Sequence, residues 1–131
     1  MQRDGPASLP EPIRLSVGTA RFPRDARLTG SAQFQRVFKN ARLRSTDAVL
    51  AVLAVENELN IARLGLVVSR KAARRAVARN RVKRLIRNSF RNKRQHLSGL
   101  DIVVIGRPGI ENKSNTELRN ALERHWKRLG H

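Results

Sequence analysis

The stretch VSRKAARRAVARNRVKRLIRNSFRNKR, residues 68–94, constrains this chain more than any other, because it holds a dozen basic residues and no acid. On a helix advancing about 100° per residue it divides into two sides. Ala78, Val82, Leu85, Ile86 and Ser89 cluster together, with Phe90 at their edge, while Asn80, Lys83, Arg84, Arg87, Arg91 and Arg94 gather opposite. Arg79 and Arg81 flank the boundary. A disordered basic tail would show no such division. Solvated helix faces usually mix signs and gain from i,i+4 pairs, whereas the charged neighbours here are all alike in sign, which costs stability. Arginine is a good helix former, so propensity tolerates the run. The arrangement calls for an external anion.

The segments around it read as a small α+β domain. Phe34, Val37, Phe38 and Ala41 recur at helical spacing after Thr29, Gly30 and Ser31, which offer an N-cap, so a short helix is predicted from about Ala32 to Asn40. DAVLAVLAV (residues 47–55) and ARLGLVVS (62–69) read as strands, with ENELN between them as the turn of an antiparallel hairpin. LDIVVIG (100–106) reads as a strand buried on both faces. Ser114 and Glu117 have capping-box spacing and open a last helix with Leu118, Ala121, Leu122, His125 and Leu129 on one stripe. The predicted order is α-β-β-α-β-α, a small, mainly antiparallel sheet packed with three helices. Residues 1–20, with Pro6, Pro10 and Pro12, read as a flexible tail. Residues 21–131 form the single domain, and no internal repeat is present.

The charge of the whole chain narrows its partners. Twenty-eight Lys and Arg stand against ten Asp and Glu, a formal +18 over 131 residues. In the tail Arg3 and Arg14 cancel Asp4 and Glu11, so the excess belongs to the domain. A polyanion is the natural partner, and the preponderance of arginine favours nucleic acid, because guanidinium forks pair with phosphate and stack on bases. A membrane-surface helix needs a large apolar flank, which the polar face lacks. The chain has no cysteine, which rules out disulfides and Cys-based zinc, and no apolar run approaches a transmembrane span. A cytoplasmic, membrane-free protein is the expectation. No short partner helix precedes the basic one, so a helix-turn-helix reader of the major groove fits poorly. A folded RNA bound by shape and phosphate fits better.

RNRVKRLIRNSFR (residues 79–91) resembles the signature of the bacterial ribonuclease P protein subunit family. FPRDARLTGSAQFQRVFKN (22–40) is similar to that family's opening helix with its paired phenylalanines, and RLGLVVSRK (63–71) to the strand feeding the basic helix. LDIVVIGRPG (100–109) and LERHWKRL (122–129) match the remainder, so the resemblance covers about residues 22–129. It implies that a catalytic RNA cleaves precursor tRNA at its 5′ end with Mg2+ held mainly by that RNA. The protein itself binds no cofactor and requires no protein partner. It binds the catalytic RNA and the single-stranded 5′ leader of precursor tRNA. A β-α-β crossover of left hand is also implied, against the usual rule.

By match, Arg79, Asn80, Arg81, Lys83, Arg84 and Arg87 would face RNA. Arg91 continues their row, and Arg70, Lys71, Arg74 and Arg75 at the strand-to-helix junction would touch phosphate. The family's leader cleft, between first helix and sheet, carries over to Phe34, Phe38, Leu50 and Val52. At helical spacing Phe34 and Phe38 suit a plain core as well as a cleft wall. The family often sets an aromatic residue on the cleft floor. Here the floor is aliphatic and lacks the ~1–3 kcal/mol per base that aromatic stacking supplies.

The residues themselves offer no catalyst and no metal site. Two-metal hydrolysis wants converging carboxylates, and the acids are scattered, with only Glu56 and Glu58 close together. A metal-free ribonuclease wants two histidines. His131 is terminal, His125 lies on an apolar stripe and reads as a packed histidine, and His96 follows the basic helix, where it meets the helix dipole. Trp126 and Phe90 read as core anchors. The rival reading is a non-enzymatic structural RNA-binding protein of ribosomal-protein type, equally small, basic and free of cysteine.

Overall fold

The computed structural model describes residues 27–28 and 30–130. The tail read over 1–20, the start of the Phe22 block, Thr29 of the proposed cap and His131 lie outside the described residues. In chain order the elements are α1 (Gly30–Asn40), β1 (Leu43–Thr46), β2 (Leu50–Glu56), β3 (Arg63–Val67), α2 (Ala76–Lys93), β4 (Leu100–Gly106), a 3-10 turn (Ile110–Asn112) and α3 (Asn115–Gly130). The strands form one sheet in the order β1-β2-β4-β3. β2 pairs antiparallel with β1 and β4, while β3 pairs parallel with β4 across the α2 crossover. The α+β class and the three helices are as expected.

Two expectations change. β2 and β3 are not a hairpin, because β4 lies between them. LDIVVIG, which is buried at six of its seven positions, takes the centre of the sheet, where both faces are covered. The ENELN segment is a loop held by Asn57, whose Oδ1 accepts the Leu59 N–H and whose Nδ2 donates to Ile61 O. The second change is β1, LRST, a four-residue edge strand with one buried position, Ser45, and no alternation long enough to read.

The sheet is the middle layer. On one face Leu50, Val52, Leu64, Leu66, Ile102 and Val104 meet the apolar stripes of α2 and α3. Val82, Ile86 and Phe90 of α2 are at most 1% exposed, and Phe90 meets Trp126 edge-on at 6.1 Å. Each such side chain contributes roughly 1.5–3 kcal/mol on full burial. Trp126 Nε1 donates to Ser89 Oγ at 2.7 Å, which explains a serine on the apolar side of α2. On the other face Leu53, Val55 and Val103 pack beneath Leu28, Phe34 and Val37.

Polar anchors fix the helices to this frame. The predicted capping box opens α3: Ser114 N–H donates to Glu117 Oε1 and Glu117 N–H to Ser114 Oγ. His125 is buried, as expected, but it is bonded at both nitrogens, Nδ1 to Ser45 Oγ at 2.6 Å and Nε2 to Asp47 Oδ2 at 2.9 Å. On the α1 side, Asp101 is 1% exposed and receives Arg63 Nε and Nη2, Arg36 Nη1 and Asn57 Nδ2. Arg36 Nη2 also donates to Glu56 O, tying α1 to the end of β2. With these donors both carboxylate oxygens of a buried group are hydrogen-bonded.

Candidate nucleic-acid interface

The basic helix divides as its wheel predicts. Ala78, Val82, Leu85, Ile86, Ser89 and Phe90 are buried. Asn80 and Arg84 are exposed, and Lys83, Arg87 and Arg91 are half-buried. Burial and then the neighbouring Arg84 and Arg91 lower the Arg87 pKa to about 10. It stays charged at neutral pH, but under repulsion that a phosphate relieves.

Arg79 and Arg81, at the boundary, have structural tasks. Arg79 Nη1 donates to Ala73 O and Arg74 O, which braces the junction before the helix. Arg81 holds the segment leading into α3 through Asn115 Oδ1, Glu111 O and Lys113 O. Both keep a cation at the edge of the row while spending hydrogen bonds on the fold.

Arg70, Lys71, Arg74 and Arg75 are exposed at the start of α2. The first turn has no acid, and its N-cap, Arg75, makes no side-chain cap. Cations at the positive end of a helix dipole destabilise it when alone, and they complete an anion site when phosphate is present.

The cleft differs from expectation by one residue in phase. Thr46, Ala51, Ile105 and Val67 form one row across the four strands. The next row, Arg44, Leu53, Val103 and Gly65, lies towards α1, with the Phe34 ring against Gly65. A third row holds Val55, Asp101 and Arg63, and receives Arg36. Among the described residues, helix α1 covers the second and third rows and leaves the first partly open: Thr46 is exposed and Ala51, Ile105 and Val67 are half-buried, the last two packed against the edge of the α1 cluster.

Leu50 and Val52 are each 0% exposed and belong to the opposite face, in the core under α2 and α3. A shift of one residue along a strand exchanges the faces, so these two are core residues, and it is Ala51 with its row partners that lies on the α1 side. Phe34 is 4% exposed and is core, whereas Phe38, one turn later, is 38% exposed. The exposed row, Thr46, Ala51, Ile105 and Val67, carries no aromatic side chain.

One histidine group resembles a hydrolytic relay in its order, but its serine and histidine are buried within the fold. Asp47, His125 and Ser45 follow one another in hydrogen-bond order, but Ser45 is 4% exposed and its Oγ accepts from Arg128 Nη1. That group joins α3 to β1. Among the described residues no three histidine, aspartate or glutamate side chains converge as metal ligands. No described helix is long and apolar enough to cross a membrane.

Known proteins share this sequence pattern and fold. Residues 22–130 match the family model described as Ribonuclease P. The chain is 48% identical over 108 residues to the ribonuclease P protein component of Thioalkalivibrio sulfidiphilus, covering 82% of this chain and 89% of that one. It is 45% identical over 108 residues to the same component of Pseudomonas aeruginosa, covering 82% and 80%. Among solved structures, the Staphylococcus aureus RNase P protein superposes with a TM-score of 0.74 at 31% identity, over 81% of this chain and 98% of that one. The Thermotoga maritima RNase P protein does so with a TM-score of 0.70 at 31% identity, over 80% and 98%.

Proposed function

The chain belongs to the ribonuclease P protein family, and on that premise we propose that it holds precursor tRNA on a catalytic RNA for removal of the 5′ leader. Membership makes it a protein component of an endoribonuclease that processes tRNA, with an RNA subunit as partner; the ribosomal-protein alternative is not favoured. In our reading the chemistry belongs to the RNA, which also holds the magnesium.

The observation that carries the reading is the continuity of two surfaces. The open row across the sheet ends at Val67, and the chain then runs directly through Arg70, Lys71, Arg74 and Arg75 into the arginine row of α2. A single strand lying in the row passes from an aliphatic floor to a cluster of cations. Bases pack on Ala51, Ile105 and Phe38, while phosphates meet the junction. The α2 face binds the catalytic RNA, so the leader and the RNA are held in one register. Catalysis gains by positioning, as ordering of reacting groups lowers the barrier without adding a new chemical group.

The test is reconstitution with the partner catalytic RNA at low magnesium, scoring 5′ cleavage of a precursor tRNA. Stimulation of cleavage is expected, and its absence overturns the reading.

A further inference from the structure

At the far end of α2 the structure carries a groove that leader binding does not use. Its volume of about 430 Å³ falls in the range of about 300–1,000 Å³ usual for small-ligand sites. One wall is the end of α2 and the turn after it, with Arg91, Asn92, Arg94, Gln95 and His96. The other is the segment entering β3, with Asn60 and Ile61.

Both walls are fixed by the fold. Asn57 N–H donates to Gly99 O at 2.8 Å and Gly99 N–H to Ile61 O at 3.1 Å, joining the two segments directly. Asn57 Nδ2 adds a bond to Asp101 Oδ1 at 2.8 Å. The turn after α2 is closed by the N–H groups of His96 and Leu97, both donating to Lys93 O.

The lining has a definite chemistry. Its two arginines are accompanied by no carboxylate among the described residues, a lining that suits an anion. Arg91 Nη2 donates to Asn88 Oδ1, but its Nε is enclosed without a hydrogen-bond partner. Asn60, Asn92 and Gln95 each offer a donor and an acceptor on one planar group, which suits the edge of a base. His96 and the guanidinium planes offer flat surfaces on which a base stacks. Inorganic phosphate would use the arginines alone, and a nucleotide uses all three sets.

Position identifies the nucleotide's source. Arg84, Arg87, Arg91 and Arg94 follow at intervals of three and four, and the groove lies where that row ends. It stands roughly 27 Å, the length of α2, from the cations at the helix start. We propose that the groove holds one unpaired nucleotide of the RNA lying along α2. The phosphate sits on Arg91 and Arg94, and the base lies against His96 within reach of the three amides. The source of the strand rests on the ribonuclease P reading; the chemistry of the groove does not.

The test titrates nucleoside 5′-monophosphates and, separately, inorganic phosphate into the full chain, followed by NMR shifts of backbone and side-chain amides. Monophosphates are expected to shift Asn60, Asn92 and Gln95 at concentrations about tenfold below those needed for phosphate, the size of two amide contacts. Asn60→Ala with Gln95→Ala removes that gap and leaves the phosphate response at Arg79 to Arg84 unchanged, with an unaltered urea midpoint. Equal action of monophosphate and phosphate overturns the proposal, as does a gap that survives the double substitution. If the chain fails to stimulate 5′ cleavage while monophosphates still titrate the groove, the tRNA reading falls and the groove assignment stands.

Discussion

The ring of Phe34 lies directly on Gly65. A Cβ at Gly65 would stand 2.6 Å from Phe34 Cζ and 2.7 Å from Cε2. Helix α1 approaches the sheet this closely because β3 carries no side chain there. Gly65→Ala is expected to push the ring and helix outward and to cost about 1–3 kcal/mol, as overpacking does. The urea midpoint measures it, and Phe34→Leu in the same chain should recover part of the loss. An unchanged midpoint in the single variant would show that α1 is not seated on Gly65.

The open row separates cleft residues from core residues on a single strand. Ala51→Glu is expected to fold and to reduce discrimination between leader-bearing and leaderless precursor tRNA. Val52→Glu, facing the α2 and α3 core, is expected to prevent folding, since it buries an unpaired charge. Phe38→Ala should weaken leader discrimination at little cost in stability, whereas Phe34→Ala should cost about 3–5 kcal/mol. Binding assays with the two tRNA forms and denaturant titrations check all four. Equal behaviour of Ala51→Glu and Val52→Glu would contradict the row assignment.

The arginines should separate by task. Arg84→Ala with Arg87→Ala is expected to weaken RNA binding and flatten its salt dependence, each lost phosphate contact removing about 0.7–0.9 from the log–log slope. Arg81→Ala instead removes three hydrogen bonds, to Glu111, Lys113 and Asn115 at the start of α3, and should lower the unfolding midpoint. An unchanged slope in the double variant would mean that the α2 face is merely solvated.

Acid should loosen the contact between α3 and β1. Burial, together with Arg128 and Arg124, lowers the His125 pKa against the pull of Asp47. Burial alone would raise Asp47, but N–H bonds from Leu50 and Val49 and the proximity of His125 outweigh it and hold its carboxyl below the usual value. Neutral His125 donates from Nε2 to Asp47 and accepts at Nδ1 from Ser45. A group whose folded pKa is depressed contributes stability that is present above its unfolded pKa and lost as pH falls towards the folded one. Stability should therefore begin to decline below about pH 6.5, with Asp47 adding to the loss at lower pH. Urea midpoints between pH 7 and pH 5 measure this, and His125→Gln should flatten the upper part of the decline. A midpoint constant over that range in the unsubstituted chain would contradict it.

Much of this was legible where one face of an element meets water. The wheel of α2, the Ser114–Glu117 box and the doubly buried LDIVVIG all carry periodic or stereochemical signals that survive in the structure. The phase of β2 was not legible. α1 covers part of one face and α3 the other, so AVLAVLAV has no polar alternate to mark which residue points where. The hairpin reading failed for a related reason. Local turn chemistry cannot reveal that a strand more than 40 residues downstream inserts between two neighbours. Asp101 reads as one scattered acid, because its partners Arg36, Asn57 and Arg63 come together only through the sheet and α1.

The central strand is the last of the four to be made, which has a consequence for synthesis. While a ribosome is still adding residues up to 93, β2 and β3 exist without the strand that separates and joins them, and among the described residues β3 is left with only the isolated bridge from Arg27 to Leu64. A nascent chain of that length carries its full arginine helix but no closed sheet. Chains that stop before Leu100 therefore release a sticky, cationic fragment with open edges. Completion of the fold waits until residues 100–106 emerge and the parallel contact across the whole of α2 closes.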